Sequence, residues 1–263
     1  DYILFSLRSE EEKSYLHSNS NTIRMKTNPL LNLLLLAGLL FAQTSNAQDL
    51  RTLYHNAMSN AVYPDSSKIN TDLVAITPQN QSLTWKTFNG ENYLLVVTWK
   101  SVSYYPNGGD SLYNTGPYQI WVTTSPQLKN WFGQQHVSDT NLRLKQLLGL
   151  PPSGTDYKYF VEFWVKPSDL FRPCPDNEIT DKSCSTCFPA NTPQEYINWI
   201  NESRISRYYA CQLYDQYPWT QLGYTYDWNP ENKTHVGMSE FVINKHAIVY
   251  VKSVSTTKEY LAR

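Results

Sequence analysis

Two stretches of this chain leave little choice of conformation. Tyr93–Trp99 (YLLVVTW) is a near-continuous apolar run, the pattern of a strand buried on both faces. Tyr159–Val165 (YFVEFWV) alternates around Glu162 and is dense in aromatic and β-branched residues, which predicts a second strong strand. Shorter strands are expected at Leu73–Thr77, Tyr118–Thr123, Tyr224–Trp228, Glu240–Ile243 and Ala247–Val254. A turn cluster, Pro106-Asn107-Gly108-Gly109-Asp110, lies between 93–99 and 118–123, so those two strands could pair as an antiparallel ribbon across a long loop.

Helical spacing is found in three further places. Leu50, Leu53, Ala57 and Ala61 fall on one face of residues 50–62, and Pro64 stops the run. Asn141–Leu150 carries Leu142, Leu144, Leu147 and Leu148, and closes on Gly149 and Pro151-Pro152. Thr192-Pro193-Gln194-Glu195 predicts a helix start, with Thr192 as N-cap, Pro193 at N1 and Glu195 completing a capping box; this helix should run to about Gln212. Residues 256–261 suit a final half-turn or helix. Between the strands and the third helix, residues 167–192 hold four prolines and three of the four cysteines and should be irregular. The expected class is α+β, with mostly antiparallel strands, two or three helices and a disulfide-tied loop.

Residues 25–47 read as a secretory signal peptide. Met25-Lys26 supplies a start and a positive charge, Leu30–Phe41 an apolar core, and Ser45-Asn46-Ala47 the small residues of a cleavage site. The core is about 12 residues long, short of the ~20 needed to cross a bilayer. A membrane anchor preceded by a genuine extension is the alternative. On the signal-peptide reading, residues 1–24 are an upstream stretch outside the working protein. Residues 48–263 then form one secreted or periplasmic domain of 216 residues, with a possible seam at Pro151–Thr155. The whole chain has a net charge of −1, as does this mature part. A near-neutral surface offers nucleic acid no basic face and gives no electrostatic hold on a membrane.

Export places the cysteines in an oxidising compartment. Cys174, Cys184, Cys187 and Cys211 are therefore expected as disulfides, with Cys174–Cys184 tying off the proline-rich loop and Cys187–Cys211 pinning it to the following helix. Redox-active or free thiols, and zinc held by four thiolates, are the competing readings; for zinc the spacing departs from paired CxxC motifs. Asp176, Glu178 and Asp181 form an acidic group in the same loop whose spacing does not match an EF-hand. There is no GxSxG, HExxH, GxGxxG or P-loop motif. His55, His136, His235 and His246 are scattered. No cofactor is called for.

All eight Trp and 18 of the 20 Tyr lie beyond residue 47, suiting core packing or an aromatic binding surface. The segments FRPCPDNEITDKSC (171–184), YPWTQLGYTYDW (217–228) and VGMSEFVI (236–243) resemble those of a group of uncharacterised secreted bacterial proteins, which carry no known activity. A looser resemblance is to enzymes of the ADP-ribosyltransferase and NAD-glycohydrolase type. The order of Arg172, Tyr224-Thr225-Tyr226 and Glu240-Phe241-Val242-Ile243, followed by a further strand, is similar to theirs. Met238 stands where many such transferases have a second Glu. The resemblance implies that Arg172 clamps a pyrophosphate, that Tyr224 or Tyr226 stacks on the leaving base, and that Glu240 stabilises the oxocarbenium-like charge as the glycosidic bond breaks. The alternative is a non-catalytic extracellular module for glycan or protein, presenting aromatics such as Trp131, Trp199 or Trp219.

Overall fold

The computed structural model describes residues 49–211 and 216–262; the signal-peptide reading of residues 25–47 falls outside them. The two apolar runs lie side by side in an antiparallel sheet. The first is β2 (Glu91–Lys100) and the second β5 (Tyr159–Val165), paired with Val96 opposite Phe163 and Val97 opposite Glu162. β10 (Ile248–Thr256) pairs with the far side of β5, and β3 (Ser111–Asn114) with β10. On its other side β2 is met by two strands in succession. Its first half takes β1 (Trp85–Phe88), and its second half takes β4 (Ile120–Thr124), with Val97 opposite Thr123. The expected ribbon of 93–99 with 118–123 is thus formed. β9 (Phe241–Ile243) continues from β4, and β6 (Leu170–Phe171) closes that edge. A separate ribbon joins β7 (Tyr224–Tyr226) to β8 (Val236–Ser239).

Alternation along the central strands divides the core in two. Leu94, Val96, Val161, Phe163 and Val165 join Val122, Phe241, Ile243, Val249 and Val251 on one face. Val97, Trp99 and Phe160 point to the other. Helices cover that second face: α2 (Ser125–Gly133), α3 (Thr140–Leu147) and α5 (Thr257–Leu261) supply Leu128, Phe132, Leu144, Leu147 and Tyr260. Loops cover the first face, through Ile76, Leu83 and Ile179. A fully buried side chain of this size contributes roughly 1.5–3 kcal/mol, so both layers are needed. The amphipathic run near the start is helical over 49–61 (α1), and its Tyr54, Ala57, Met58 and Ala61 pack on Tyr226 and Trp228. Gly149 ends α3 as expected, at φ +65°.

Two local expectations change. Leu73–Thr77 is extended but not a strand: the amides of Leu73 and Ile76 donate to the carbonyls of Lys182 and Ile179. Its partner is the irregular cysteine loop, which offers isolated carbonyls and no ladder. The last long helix, α4 (Gln194–Tyr208), starts after Pro193 with no side-chain cap, because the Thr192 hydroxyl instead donates to the Pro189 carbonyl. A capping box does form elsewhere, between Thr256 and Glu259 at the start of α5.

Glu162 is the one acidic residue inside β5 and is fully buried on the helix-covered face. It accepts hydrogen bonds from Ser125, Ser253 and Lys252, and Lys129 lies 3.5 Å away. Burial works against its charge, but the two hydroxyls and the Lys252 ammonium outweigh it and hold the carboxyl below the usual glutamate range. Both lysines keep partial access to water, so removing the acid strands no fully buried cation. Glu162→Gln should cost roughly 2–3 kcal/mol, the value of charge-assisted hydrogen bonds lost from a buried site. Urea denaturation at neutral pH measures it, and an unchanged midpoint would refute the role.

Candidate functional site

Glu240 occupies the single residue between β8 and β9, where the chain leaves the small ribbon and enters the large sheet. Its amide donates to the Gly223 carbonyl instead of joining a ladder. Phe241, the next residue, packs into the loop-covered face, and Glu240 faces the opposite way. There it lines a cavity of about 270 Å³ with Trp99 and Lys100 of β2, Trp121 and Thr123 of β4, and Arg207 near the end of α4. Tyr157, Tyr217, Trp219 and the chain at 148–150 complete much of the wall. Phenol oxygens of Tyr157 and the more exposed Tyr217 meet at 3.4 Å.

Aromatic packing sets the position of Arg207. Trp199 of α4 lies beside Trp121, Trp219, Phe171 and Tyr196. Its indole N–H donates to Gln119, and that of Trp219 to the Pro173 carbonyl. Tyr208 donates to the carbonyls of Ala61 and Trp219. α4 is thereby held against the edge of the sheet, and the Arg207 guanidinium comes to lie over the rings of both Trp121 (4.8 Å) and Trp219 (5.1 Å). This double cation–π contact stabilises a charge that has little water around it.

Two cavity groups are pushed toward their neutral forms by burial. Glu240 retains some accessible surface, but protein crowds its carboxyl and raises its pKa to about 8, against the opposing pull of Arg207. The Lys100 ammonium is held below the usual lysine range by burial alone. Desolvation also lowers the Arg207 value, with Glu240 working the other way, though a guanidinium stays charged throughout. A carboxyl that keeps its proton at neutral pH can donate a hydrogen bond or a proton, chemistry closed to an ordinary surface glutamate.

Of the other residues singled out from sequence, Tyr226 and Trp219 line this cavity and the rest do not. Arg172 is fully buried and spent on structure. Its guanidinium donates to the Asp181 carboxylate and to the carbonyls of Ser183, Val74 and Asp181. It stitches the cysteine loop to the extended 73–77 segment, and its stem passes Gly223 so closely that a Cβ there would lie 2.6 Å from Arg172 Cδ. Its guanidinium carbon sits 5.6 Å from the Phe241 ring, across the sheet from Glu240. Tyr224 donates to the Lys68 carbonyl and lines a second, more polar cavity of about 510 Å³ with His235 and Lys68. Tyr226 lies in the walls of both cavities, accepts from Asn60 and stacks on His235.

Cys174 and Cys184 are bonded, as expected. Cys187 and Cys211 are exposed free thiols, so the second expected bridge is absent and α4 is anchored by its aromatics instead. The bonded pair also rules out a four-thiolate zinc site. Among the described residues no three His, Cys, Asp or Glu side chains gather to hold a metal. Asp181 is paired with Arg172, and Glu178 accepts from Thr180 and the Asp181 amide. Asp227 accepts from the Asn229 amide and takes both arms of Arg143. None of Trp131, Trp199 and Trp219 is exposed. Arg207, Trp121 and Lys100 were not singled out. An arginine inside a polar helix and a lysine ending a strand carry no local signature.

The stability consequence of Glu240 has a definite sign. Its folded pKa, about 8, lies above the ordinary glutamate value of 4.5, so between these values the folded protein holds a proton the unfolded chain has released. This contribution is full below pH 4.5, falls as pH rises toward 8, and is gone above it. Glu240→Gln should remove that slope and raise the melting temperature at pH 8 more than at pH 5; equal shifts at both would refute the assignment. Arg172→Ala should destabilise the domain by roughly 3 kcal/mol or more, because three loop carbonyls lose their donor at about 1–3 kcal/mol each. Denaturant unfolding checks this, and a loss under 1 kcal/mol would contradict the stitching role.

No protein-family model, curated protein or solved structure matches this chain, and the site has to be understood from its own chemistry.

Proposed function

We propose that the protein takes a small, ring-bearing molecule into the Glu240 cavity, with Glu240 as its proton or hydrogen-bond donor. The observation that carries this is the pairing, in one enclosed space, of a carboxyl kept neutral by burial with a guanidinium flanked by two indoles. Perturbed titratable groups converging in a cleft are the usual mark of a functional site. Flat walls from Trp99, Trp121, Trp219 and Tyr157 suit a ring. At about 270 Å³ the space lies at the small end of ligand pockets, and would enclose one ring system and not a dinucleotide.

A second reading is transfer or hydrolysis at a glycosidic bond, as in enzymes of the ADP-ribosyltransferase and NAD-glycohydrolase type. What favours it is again the Glu240 proton, which could pass to a leaving group. In this version Arg207 takes the part first given to Arg172, and only the base-bearing end of a nucleotide enters. The setting is read as extracellular or periplasmic. The Cys174–Cys184 bridge is compatible with that, and no helix of the described residues is long and apolar enough to cross a membrane.

Ligand entry should quench or shift tryptophan fluorescence through Trp121 and Trp219. A fragment screen read by that signal should yield ring compounds whose binding Thr123→Trp, which fills the cavity, abolishes. Hits that bind the filled variant equally well would sink the proposal. Release of nicotinamide from NAD by the wild type, lowered about 100-fold or more by Glu240→Gln, would select the second reading; no release by the wild type would dismiss it for NAD.

A further inference from the structure

We infer that the molecule held in the Glu240 cavity is an anion, a carboxylate carried on a ring, and that Arg207 is its anchor. This deepens the cavity reading above and depends on it. The charges on the wall motivate it. Of the described residues that line the space, only Lys100, Arg207 and Glu240 carry ionisable acid or basic groups other than phenols. Burial favours the protonated Glu240 carboxyl at neutral pH, which leaves the Arg207 guanidinium as the standing charge in the space, with Lys100 on the same wall.

Arg143 and Arg172, the other well-buried arginines, each meet an aspartate, whereas neither Arg207 nor Lys100 forms an ion pair with any described residue. An uncompensated cation withdrawn from water is unfavourable, and an anion entering the cavity would relieve it.

The guanidinium adds directionality. Trp121 and Trp219 lie 4.8 and 5.1 Å from it, with their rings nearly perpendicular to each other. One nitrogen, Nη1, donates to the Ser203 carbonyl. Nε is buried without a partner, and no described residue accepts from Nη2. The outer end of the guanidinium, Nη2–H with the second N–H of Nη1, can meet the two oxygens of a carboxylate. Protonated Glu240 does not repel that carboxylate and can donate to it. The indole and phenol walls take the ring. The geometry therefore favours a planar aromatic or sugar-ring monocarboxylate over a neutral ring of the same shape.

The test compares matched pairs on the full chain by tryptophan fluorescence and titration calorimetry at pH 7: benzoate against benzamide, and glucuronate against glucose. In at least one pair the carboxylate should bind roughly tenfold or more tighter, the value of one charge-assisted contact. Arg207→Gln should erase that preference, so that the carboxylate and its neutral partner bind alike. Arg207→Lys should restore only part of it, because an ammonium cannot meet both oxygens. Should Arg207→Gln fail to fold, by circular dichroism, the wild-type pairs still decide. If neutral rings bind as well as carboxylates, the anion anchor is wrong and the cavity reading stands. Tighter binding of phenyl phosphate than of benzoate would also overturn the carboxylate. If no ring compound of either charge binds, both readings fall together.

Discussion

Burial of β2 and β5 on both faces is the constraint that the rest of the structure answers. Leu94, Val96, Phe163 and Val165 on one side, and Val97, Trp99 and Phe160 on the other, cannot be left in water. A single amphipathic layer would cover half of them. Helices α2, α3 and α5 cover one face with residues at helical spacing. The other face is covered by loops, and loops cannot satisfy their own backbone groups. That deficit explains why a fully buried arginine is found there: Arg172 supplies donors to three loop carbonyls at once, and the Cys174–Cys184 bond closes the same loop.

The cavity arises where the helical layer ends. α2, α3 and α5 protect the middle of the sheet, with α2 reaching β4, and Trp199 of α4 meets Trp121 of β4 and Phe171 of β6. α4 packs through Tyr196, Trp199 and Tyr208, large rings that hold the helix off the strands. Rigid aromatics of this size fill space coarsely, and a gap persists between β2, β4 and the chain at 217–219. Glu240 falls beside the gap because the chain changes sheets at that residue. The same crossover that makes Glu240 irregular in hydrogen bonding exposes its side chain to a space with little water. Stability and chemistry are in tension here: the desolvation that makes the carboxyl useful at neutral pH also makes it costly to the fold.

Much of the scaffold was legible residue by residue. YLLVVTW and YFVEFWV have no stable home except a buried sheet, and Gly149 followed by two prolines ends a helix in almost any context. The failures have physical causes. Thr192 has the right spacing for a cap, but its hydroxyl found a nearer carbonyl at Pro189. Arg172 and Glu240 were paired because their order suited a catalytic set, yet strand alternation sends Phe241 and Glu240 to opposite faces, and Arg172 lies on the side of Phe241. Cys187 and Cys211 were matched because a bridge there would pin the loop to the helix, and order along the chain carries no information about distance.

By itself the sequence determined the periodicities: which segments are strands, which helices, where an irregular loop must be tied, and that the chain is α+β. Those properties are local, because each follows from side-chain size and branching acting on a few neighbouring φ and ψ angles. Only the tertiary structure decided that Glu240, Arg207, Lys100, Trp121 and Trp219 share one cavity, and that Arg172 does not. Residues from β2, β4, α4 and the β8–β9 junction are brought together there. Their chemistry depends on burial and on mutual distance, and a position in the chain specifies neither until the sheet has closed around them.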